Sequence, residues 1–379
     1  MVNTPSPINS KNPILKIRDL QLGLMSNSVT TPILNGISMD LDPGRSVAIV
    51  GESGCGKTMT ALSILQLLPN SAQLGKISRI EYKTRSGQTV DIAKLGPRSA
   101  QMRRIRGKEI SMVFQEPISA LSPVHTILDQ VGEVLHVHTK MNRKEIRNRV
   151  IELLHLVGIP QPNERADQYP FQLSGGMKQR VMIAMAIALE PQILIADEPT
   201  TALDVTIQAQ VLQLIKRMQD QLGLALILIS HDLGIVTHMT DEIMILYLGQ
   251  VVESGPTKAV VRNPSHPYTK ALLNSIPKMT GPKHRLKVIQ GSVPSLYAPP
   301  SGCPFSERCE ENLGEICSRR MPIPINLDEK HWVRCYARGS VEPDTPSRKE
   351  RCQESATGTN QHSSTSGLLD HIDSSRGSK

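Results

Sequence analysis

Aromatic side chains are scarce in this sequence, where Phe, Trp and Tyr together make up 3% of 379 residues. Proteins that hold single-stranded nucleic acid stack its bases on aromatic rings, so this scarcity argues against a base-stacking surface. The net charge of +8 at pH 7 mildly favours an anionic partner. Basic clusters such as residues 103–106 and 143–149 are, however, more often solvated helix faces, and we expect no nucleic-acid partner.

Long apolar runs are missing as well. The nearest approach to a membrane-spanning segment, Val181 to Ala196, is too short and is interrupted by Glu190 and Pro191. Residues Met1 to Asn12 are polar and contain no apolar core, so we expect a loose N-terminus and no signal peptide. These absences predict a cytosolic protein that can still dock on a membrane.

Cysteine is rare outside one C-terminal stretch, which holds Cys303, Cys309, Cys317 and Cys335. A reducing cytosol argues against structural disulfides, so the cluster predicts metal or cofactor ligation. Its spacing, C-x5-C-x7-C-x17-C, differs from the paired C-x2-C of zinc ribbons. Four thiolates can bind zinc or an iron–sulfur cluster, and four reduced thiols packed as small hydrophobes are the third alternative.

A glycine-rich turn is the most informative stretch that is present. It fits the phosphate-binding pattern G-x-x-x-x-G-K-[ST] at every position, with Gly51, Glu52, Ser53, Gly54, Cys55, Gly56, Lys57 and Thr58. Residues 46–50 predict a buried parallel strand before it, and residues 58–68 predict a helix after it. The glycines let backbone N–H groups approach an anion, and the helix N-terminus adds positive partial charge. We expect Lys57 at the β- and γ-phosphates and Thr58 at Mg²⁺.

Polar residues follow three further predicted strands. Gln115 follows residues 112–114, the acids Asp197 and Glu198 end the strand that begins at Ile193, and His231 follows the strand at residues 225–229. Because open α/β sheets bind ligands at the carboxyl ends of their strands, we expect these side chains beside the phosphate loop. Asp197 is then the expected Mg²⁺ partner, and Glu198 can polarise an attacking water.

A second glycine pair lies in the stretch Leu173, Ser174, Gly175, Gly176, Met177, Lys178, Gln179 and Arg180, directly before a predicted apolar helix at residues 181–189. The simple interpretation is a helix cap. The alternative is a second anion site, since a helix start offers free N–H groups and a dipole. Asp204 follows the next strand and precedes an amphipathic helix whose apolar face includes Val211 and Leu214.

The remaining pattern predicts an α/β fold. Alternating residues 20–24 and 37–41 indicate antiparallel strands around a turn at residues 26–31, and residues 76–92 predict another hairpin. Residues 118–170 are mostly helical in pattern, with Gly158 closing one helix.

The order of these motifs resembles the nucleotide-binding domain of ABC ATPases. The phosphate loop, Gln115, the Leu-Ser-Gly-Gly stretch, Asp197-Glu198, Asp204 and His231 follow one another at suitable spacings. The Leu-Ser-Gly-Gly stretch is the specific part, because most phosphate-loop proteins lack it. The resemblance covers roughly residues 13–262 and implies a P-loop NTPase core with an antiparallel β subdomain and a helical subdomain at about 116–175.

The resemblance also implies roles. Two such domains would sandwich two ATP molecules head to tail, with Lys57 and Thr58 of one domain facing Ser174, Gly175 and Gly176 of the other. Asp197 would hold Mg²⁺ through water, and Glu198 would act as the general base. Gln115 would sense Mg²⁺ and couple to the partner, His231 would contact the γ-phosphate, and Asp204 would shape the dimer seam.

Two departures from the family pattern are visible. The aromatic ring that usually stacks on adenine is missing, because Tyr82 is the first aromatic residue of the chain. Leu24 or Ile33 is the expected apolar substitute. Met177 replaces the more usual Gln, a variant that resembles the oligopeptide/dipeptide importer ATPases.

The C-terminal part resembles the same importers. Residues 263–277 look like their linker, and residues 302–309 with Cys317 and Cys335 look like their extension. We therefore place an extension at 263–340, where the resemblance implies a 4Fe–4S cluster. Residues 341–379 are rich in Ser, Thr, Gly and charge, and we expect them to be disordered.

The expected function is that of an ATP-hydrolysing subunit of an ABC importer for peptides or similar small solutes. The resemblance implies a peripheral location on the cytoplasmic face of a bacterial inner membrane. It also implies two transmembrane permease subunits, a second ATPase that is more often a paralogue than a copy, and an extracytoplasmic solute-binding protein. The alternatives are a soluble ABC ATPase acting on nucleic acid or ribosomes and a purely regulatory subunit.

Overall fold

A computed structural model describes residues 12–26, 29–116, 120–201, 203–276, 289–296 and 299–339. The expectation of a loose N-terminus falls outside these residues except for Asn12, and the expectation of a disordered tail at 341–379 falls outside them altogether. No helix in the described ranges is long and apolar enough to cross a membrane.

The described elements include both strands and helices, which agrees with the predicted α/β class. The strands are β1 (Leu15–Ser26), β2 (Val29–Leu41), β3 (Ser46–Val50), β4 (Ala72–Leu74), β5 (Arg79–Lys83), β6 (Thr89–Asp91), β7 (Ile110–Val113), β8 (Ile193–Asp197), β9 (Ala225–Ser230), β10 (Glu242–Tyr247), β11 (Gln250–Pro256), β12 (Ile325–Asn326) and β13 (Trp332–Val333). The helices are α1 (Lys57–Ile64), α2 (Ala100–Ile105), α3 (Ile127–His138), α4 (Arg143–Leu156), α5 (Pro162–Arg165), α6 (Gly175–Ile187), α7 (Val205–Leu222), α8 (Leu233–Met239), α9 (Thr257–Arg262), α10 (Pro267–Asn274) and α11 (Glu315–Arg319).

The main sheet has the strand order β12-β13-β11-β10-β3-β9-β8-β7. Strands β10, β3, β9, β8 and β7 run parallel to one another, while β11 is antiparallel to β10. Every residue of β3, β8 and β9 is buried. Their continuous apolar runs follow from this position, because a parallel sheet is covered on both faces.

The smaller sheet is antiparallel and has the order β2-β1-β5-β6, with β4 also pairing to β1. The two strands expected near Leu20 and Ile37 are therefore present, but they are longer than predicted. The predicted turn at 26–31 is shorter, because Ser26 already pairs with Val29. The alternation of more and less buried side chains extends to the start of β1, before the predicted strand, where Leu15 and Ile17 are buried and Lys16 is half-buried.

Two helices begin or end away from their predicted bounds. Helix α1 stops at Ile64, before the predicted end at Leu68, because Gln66 adopts a left-handed conformation with φ 51°. The N–H of Leu67 then donates to the Leu62 carbonyl at 2.9 Å, which completes a Schellman cap. Helix α6 starts at Gly175, six residues earlier than predicted, because the Ser174 hydroxyl caps its first turn.

The helices between Gln115 and Ser174 have well-defined starts. Thr126 and Asp129 form a capping box on α3, and Asn142 and Glu145 form another on α4. Val150, Leu153 and Leu154 of α4 are buried, and Gly158 follows the helix with φ 76°. These helices share an apolar core with the main sheet.

The C-terminal extension is attached to the main sheet. Strand β13 pairs with β11 through Glu253↔Val333 and Ser254↔Trp332. The Glu253 carboxylate is fully buried and accepts hydrogen bonds from the N–H groups of Ser265 and His266, each at 2.8 Å. His331 Nε2 lies 2.8 Å from the same carboxylate. This saturated carboxylate joins β11 to two segments of the extension.

Candidate active site

Four strands end together at the carboxyl edge of the main sheet. The loop after β3 carries Lys57, β8 ends in Asp197 and Glu198, and the turns after β7 and β9 carry Gln115 and His231. Strands β3, β9, β8 and β7 are neighbours in this order. The parallel sheet therefore gathers at one edge side chains that are more than 170 residues apart in sequence.

The phosphate loop connects β3 to α1 and depends on its glycines. Gly54 and Gly56 have φ values of 79° and 106°, a region that disfavours side chains. At Gly51 a Cβ atom would lie 2.1 Å from the Leu246 carbonyl oxygen. The loop is therefore packed against the end of β10 in a conformation that needs glycine at these positions.

Lys57 is buried at the start of α1, with 6% of its surface exposed. Its Nζ atom donates to the carbonyls of Gly51 and Glu52 at 2.8 and 3.1 Å. The same Nζ lies 3.9 Å from Glu198 Oε1. The ammonium group is thus held between the loop and the acidic end of β8, where it can bind phosphate oxygens.

Glu198 is the most connected side chain of the edge. Its Oε2 atom accepts hydrogen bonds from Gln115 Nε2 and Thr201 Oγ1, each at 3.0 Å. His231 Nδ1 lies 3.3 Å from the same oxygen, and the His231 side chain is 64% exposed. Glu198 has φ 44°, a strained conformation for a residue with a side chain. Gln115, Glu198 and His231 are therefore brought together as predicted, and Thr201 is an additional partner.

Asp197 has a different environment. It is 2% exposed, and its Oδ1 has no hydrogen-bond partner within the described part of the chain. Burial raises the pKa of this carboxyl group, while a hydrogen bond with the Thr58 side chain and the charge of Lys57 oppose the shift. An unpartnered buried carboxylate oxygen beside a threonine hydroxyl fits Mg²⁺, which takes oxygen ligands.

The described residues contain no group of three or more Asp, Glu, His or Cys side chains arranged for a metal ion. This finding agrees with the fit at Asp197, because Mg²⁺ at phosphate sites uses one or two protein ligands and takes the rest from phosphates and water.

The Ser174–Gly176 turn lies elsewhere. Ser174 caps α6, and Gly176 packs so closely on Ile207 that a Cβ atom there would lie 2.7 Å from Ile207 Cγ2. Asp204 caps α7 by accepting from the Ile207 N–H at 3.0 Å. In the described ranges no hydrogen bond or ion pair joins this turn to the phosphate loop. Ser174, Gly175 and Asp204 are exposed, so the turn faces away from the chain's own core.

The rest of the phosphate loop divides into exposed and buried residues. Ser53 is exposed, whereas Cys55 is buried and burial raises the pKa of its thiol to about 11. Glu52 points towards the C-terminal extension, where it pairs with Arg308. Sequence reasoning missed Arg308 and Tyr268, since no local pattern marks them.

The two candidates for adenine contact differ in exposure. Ile33 is buried within the core of the smaller sheet, so it offers little surface to a base. Leu24 is half-buried and lies on β1 opposite Thr31. Leu24 therefore offers more exposed apolar surface than Ile33.

The four C-terminal cysteines are free thiols in the same part of the extension. Cys303, Cys317 and Cys335 are buried, Cys309 is half-buried, and the Cys303 N–H donates to the Cys317 carbonyl at 2.8 Å. Burial raises the pKa of Cys303 to about 12 and that of Cys309 to about 11, with a smaller contribution from neighbouring thiols. Among the described residues, no three of these thiols are arranged to hold a metal ion.

Models of two protein families match parts of the chain. Residues 34–201 match the family described as ABC transporter, and residues 252–317 match the family described as oligopeptide/dipeptide transporter, C-terminal region. The chain is 46% identical to a putative peptide import ATP-binding protein of Brucella ovis, over 86% of this chain and 97% of that one. It is 45% identical to a dipeptide transport ATP-binding protein of Bacillus subtilis, over 85% and 94% of the two chains.

Solved structures show the same fold. A dimeric ATP-binding cassette in a post-hydrolysis state, bound to ADP and Pi, is 26% identical, with a TM-score of 0.55 over 64% of this chain and 98% of that one. A subunit of the cbiONQ ABC transporter complex from Clostridium perfringens is 30% identical, with a TM-score of 0.55 over 67% and 92%.

Proposed function

The chain belongs to the ATP-binding proteins of ABC transporters that carry the oligopeptide/dipeptide C-terminal region, and we propose that it hydrolyses ATP to power the import of peptides or similar small solutes. The observation that carries this proposal is the convergence of Lys57, Asp197 and Glu198 at one sheet edge. That edge joins a phosphate-binding loop, a free carboxylate oxygen for Mg²⁺ and a general base.

The residues at this edge have separate roles in ATP hydrolysis. Lys57 and the N–H groups of the phosphate loop bind the phosphates of ATP. Thr58 and Asp197 would hold Mg²⁺, which supplies charge neutralisation on the phosphate oxygens when bound. Glu198 accepts a proton from the water that attacks the γ-phosphorus, and the products are ADP and phosphate. Gln115, Thr201 and His231 orient the Glu198 carboxylate through the contacts at Oε2.

The proposal includes a dimer. Ser174, Gly175 and Asp204 are exposed, and no hydrogen bond among the described residues joins them to the chain's own phosphate loop, so a second ATPase can use them. In this arrangement Ser174, Gly175 and Gly176 would face the nucleotide bound by a partner, and Asp204 would lie at the seam. A similar cassette is described as dimeric. We propose a paralogue as the partner, in keeping with the family resemblance.

Transport requires further subunits. We propose two transmembrane permease subunits, which this chain contacts from the cytoplasmic face of the inner membrane, and an extracytoplasmic solute-binding protein that delivers cargo. The absence of a membrane-crossing helix in the described ranges is consistent with a peripheral ATPase. Leu24 is proposed as the apolar contact for adenine.

The transport proposal is tested by isolating the tagged full chain from its own membranes in mild detergent and identifying its partners by mass spectrometry. Two multi-span proteins and a second ATPase are expected. Recovery of ribosomal or nucleic-acid-bound proteins without membrane partners would overturn the transport proposal and favour a soluble ABC ATPase.

The cysteine extension is proposed to bind a 4Fe–4S cluster, with zinc as the alternative. The support is the burial of three thiols in one neighbourhood and the thiolate ligation that such clusters require. A ligand there would tie together segments that are held by few apolar contacts. Iron, acid-labile sulfide and zinc are measured on protein purified without oxygen. Iron and sulfide together support the cluster, and a sample with neither iron nor zinc contradicts both forms of the proposal.

A further inference from the structure

Glu52, the second residue of the phosphate loop, is held by the C-terminal extension. Arg308 donates from both terminal nitrogens to the Glu52 carboxylate, at 2.6 and 3.0 Å. Tyr268 accepts the backbone N–H of Glu52 at its hydroxyl, at 2.9 Å. The extension therefore makes hydrogen bonds to both the side chain and the main chain of one loop residue.

The ion pair between Arg308 and Glu52 does not lie in open solvent. The Arg308 side chain is 5% exposed, and its remaining donors reach the Tyr247 hydroxyl at 3.1 Å and the Gln290 carbonyl at 3.0 Å. A planar guanidinium that binds a carboxylate through two parallel hydrogen bonds fixes orientation as well as distance. Exposed pairs contribute little because solvent screens them, and Arg308 lacks that exposure.

Aromatic rings pack around Arg308 and Tyr268, the two residues that bind Glu52. Tyr247 ends β10, and its ring packs edge-on against Tyr268 and Phe305, with ring centroids 4.7 and 5.3 Å apart. Arg308 lies over the rings of Tyr247 and Phe305 at 5.8 and 5.9 Å. In a chain so poor in aromatic residues, this cluster concentrates three of them where the extension meets the phosphate loop.

The contact is connected to the phosphate-binding lysine. Lys57 Nζ donates to the Glu52 carbonyl, so Glu52 is bonded to Arg308 through its side chain and to Lys57 through its main chain. Fixing Glu52 therefore limits the positions that the loop and Lys57 can take. A loop ordered before its ligand arrives loses less conformational entropy on binding.

We propose that Arg308 is a positioning residue of the ATP site, which it serves by holding Glu52 and thereby preorganising the phosphate loop. The C-terminal extension is then a working part of the nucleotide site in addition to an attachment on the sheet. This inference rests on the proposed ATPase function. It requires no ligand on the cysteines, because Arg308, Glu52 and Tyr268 are protein groups already in contact.

The test compares Glu52→Gln, Arg308→Gln and the double variant in the full chain. The measurements are the dissociation constant for Mg-ATP, by a fluorescent ATP analogue with competition, and steady-state hydrolysis. Each single variant is expected to weaken ATP binding by about 10-fold and to raise KM more than it lowers kcat. The double variant is expected to be no weaker than the worse single variant, since both changes remove one interaction.

Arg338→Gln is the matched control. Arg338 lies in the same extension and pairs with Glu311, but it makes no contact with the phosphate loop in the described residues. Its ATP affinity is expected to equal that of the unaltered protein. Arg308→Lys, which keeps the charge without the planar fork, is expected to recover part of the affinity and provides a second variant should Arg308→Gln not fold.

The outcomes separate this inference from the proposed function. If the unaltered protein neither binds nor hydrolyses ATP, the proposed function fails. If it does both, and folded Arg308→Gln and Arg308→Lys bind ATP as tightly as Arg338→Gln, the positioning role of Arg308 is wrong. Additive effects of Glu52→Gln and Arg308→Gln would likewise contradict it.

Discussion

Two buried carboxylates in this molecule have opposite surroundings. Glu253, where β11 meets the extension, is fully buried and is bonded to two N–H groups and to His331. Asp197, at the carboxyl edge of the main sheet, is 2% exposed and has an oxygen without a partner in the described part of the chain. A carboxylate that only holds the fold has its oxygens satisfied, whereas one that binds a cation must keep an oxygen free.

The difference extends to neighbouring side chains. Around Glu253, the partners are backbone groups and a buried imidazole, and they join strands to loops. Around Glu198, the partners include side chains from three separate turns, and two of them, Gln115 and His231, are exposed. The hydrogen bonds around Glu253 stabilise the fold, whereas the surroundings of Asp197 and Glu198 leave space for a nucleotide. Substitutions at Glu253 should therefore reduce stability, and substitutions at Asp197 should reduce activity.

The largest expected effect is that of Asp197→Asn. The amide cannot supply the anionic ligand for Mg²⁺, so we expect ATP hydrolysis to fall by about 100-fold or more. Because the buried carboxylate is destabilising in its charged form, the free energy of unfolding should stay the same or rise. Phosphate release and urea unfolding measure the two quantities. Loss of stability with full activity would reverse the assignment.

Glu253→Gln is expected to show the opposite pattern. In the variant, the amide NH2 group would face backbone N–H groups that donate to carboxylate oxygens in the unaltered protein, which leaves donors without acceptors. We therefore expect the free energy of unfolding to fall by about 3 kcal/mol. Hydrolysis per folded molecule should be unchanged. Urea unfolding followed by far-ultraviolet circular dichroism measures the stability, and a change under about 1 kcal/mol would remove Glu253 from its structural role.

Thr201→Ala tests whether Glu198 needs orientation as well as charge. The variant removes a 3.0 Å hydrogen bond to Glu198 Oε2, and we expect kcat to fall by about 5-fold with ATP affinity kept. Thr201→Ser retains the hydroxyl and serves as the control, with kcat near normal. Equal losses in the two variants would show that the methyl group, and not the hydrogen bond, matters.

The smallest effect concerns Glu242 at the start of β10, a third carboxylate with little solvation. Burial raises its pKa to about 7, so the folded chain binds more protons than the unfolded chain between about pH 4.5 and 7. Stability should therefore fall as pH rises through this window, by on the order of 1 kcal/mol after allowance for solvent screening. In Glu242→Gln this contribution should vanish. Unfolding curves at pH 5 and 8 for both proteins measure it.

Local patterns predicted the parts of the site that act through short-range geometry. The phosphate loop is predictable because its glycine spacing and the patterns of its flanking strand and helix lie in one continuous stretch of sequence. Gln115, Asp197 and His231 are predicted to lie together because each follows or ends a predicted buried strand, and open α/β sheets bind ligands at the carboxyl ends of their strands. Both the antiparallel strands and the helix faces followed from apolar alternation, although their ends did not.

Long-range contacts escaped prediction. Arg308 and Glu52 are 256 residues apart, and nothing in either neighbourhood indicates the other. The early end of α1 depends on a left-handed residue, Gln66, that carries no glycine signal. Thr201 lies three residues after Glu198 in a turn, and its spacing alone did not distinguish a hydrogen-bond partner from an ordinary turn residue. In each case tertiary packing selects the contact.

We propose Glu198 as the base of an ATP-hydrolysing site. The most direct measurement is phosphate release at saturating Mg-ATP by Glu198→Gln and the unaltered protein, with bound ATP quantified in the same samples. Glu198→Gln should retain ATP binding while its hydrolysis falls by about 1,000-fold, because the amide cannot accept the proton of the attacking water. Near-normal phosphate release from a folded, ATP-bound Glu198→Gln protein would contradict it.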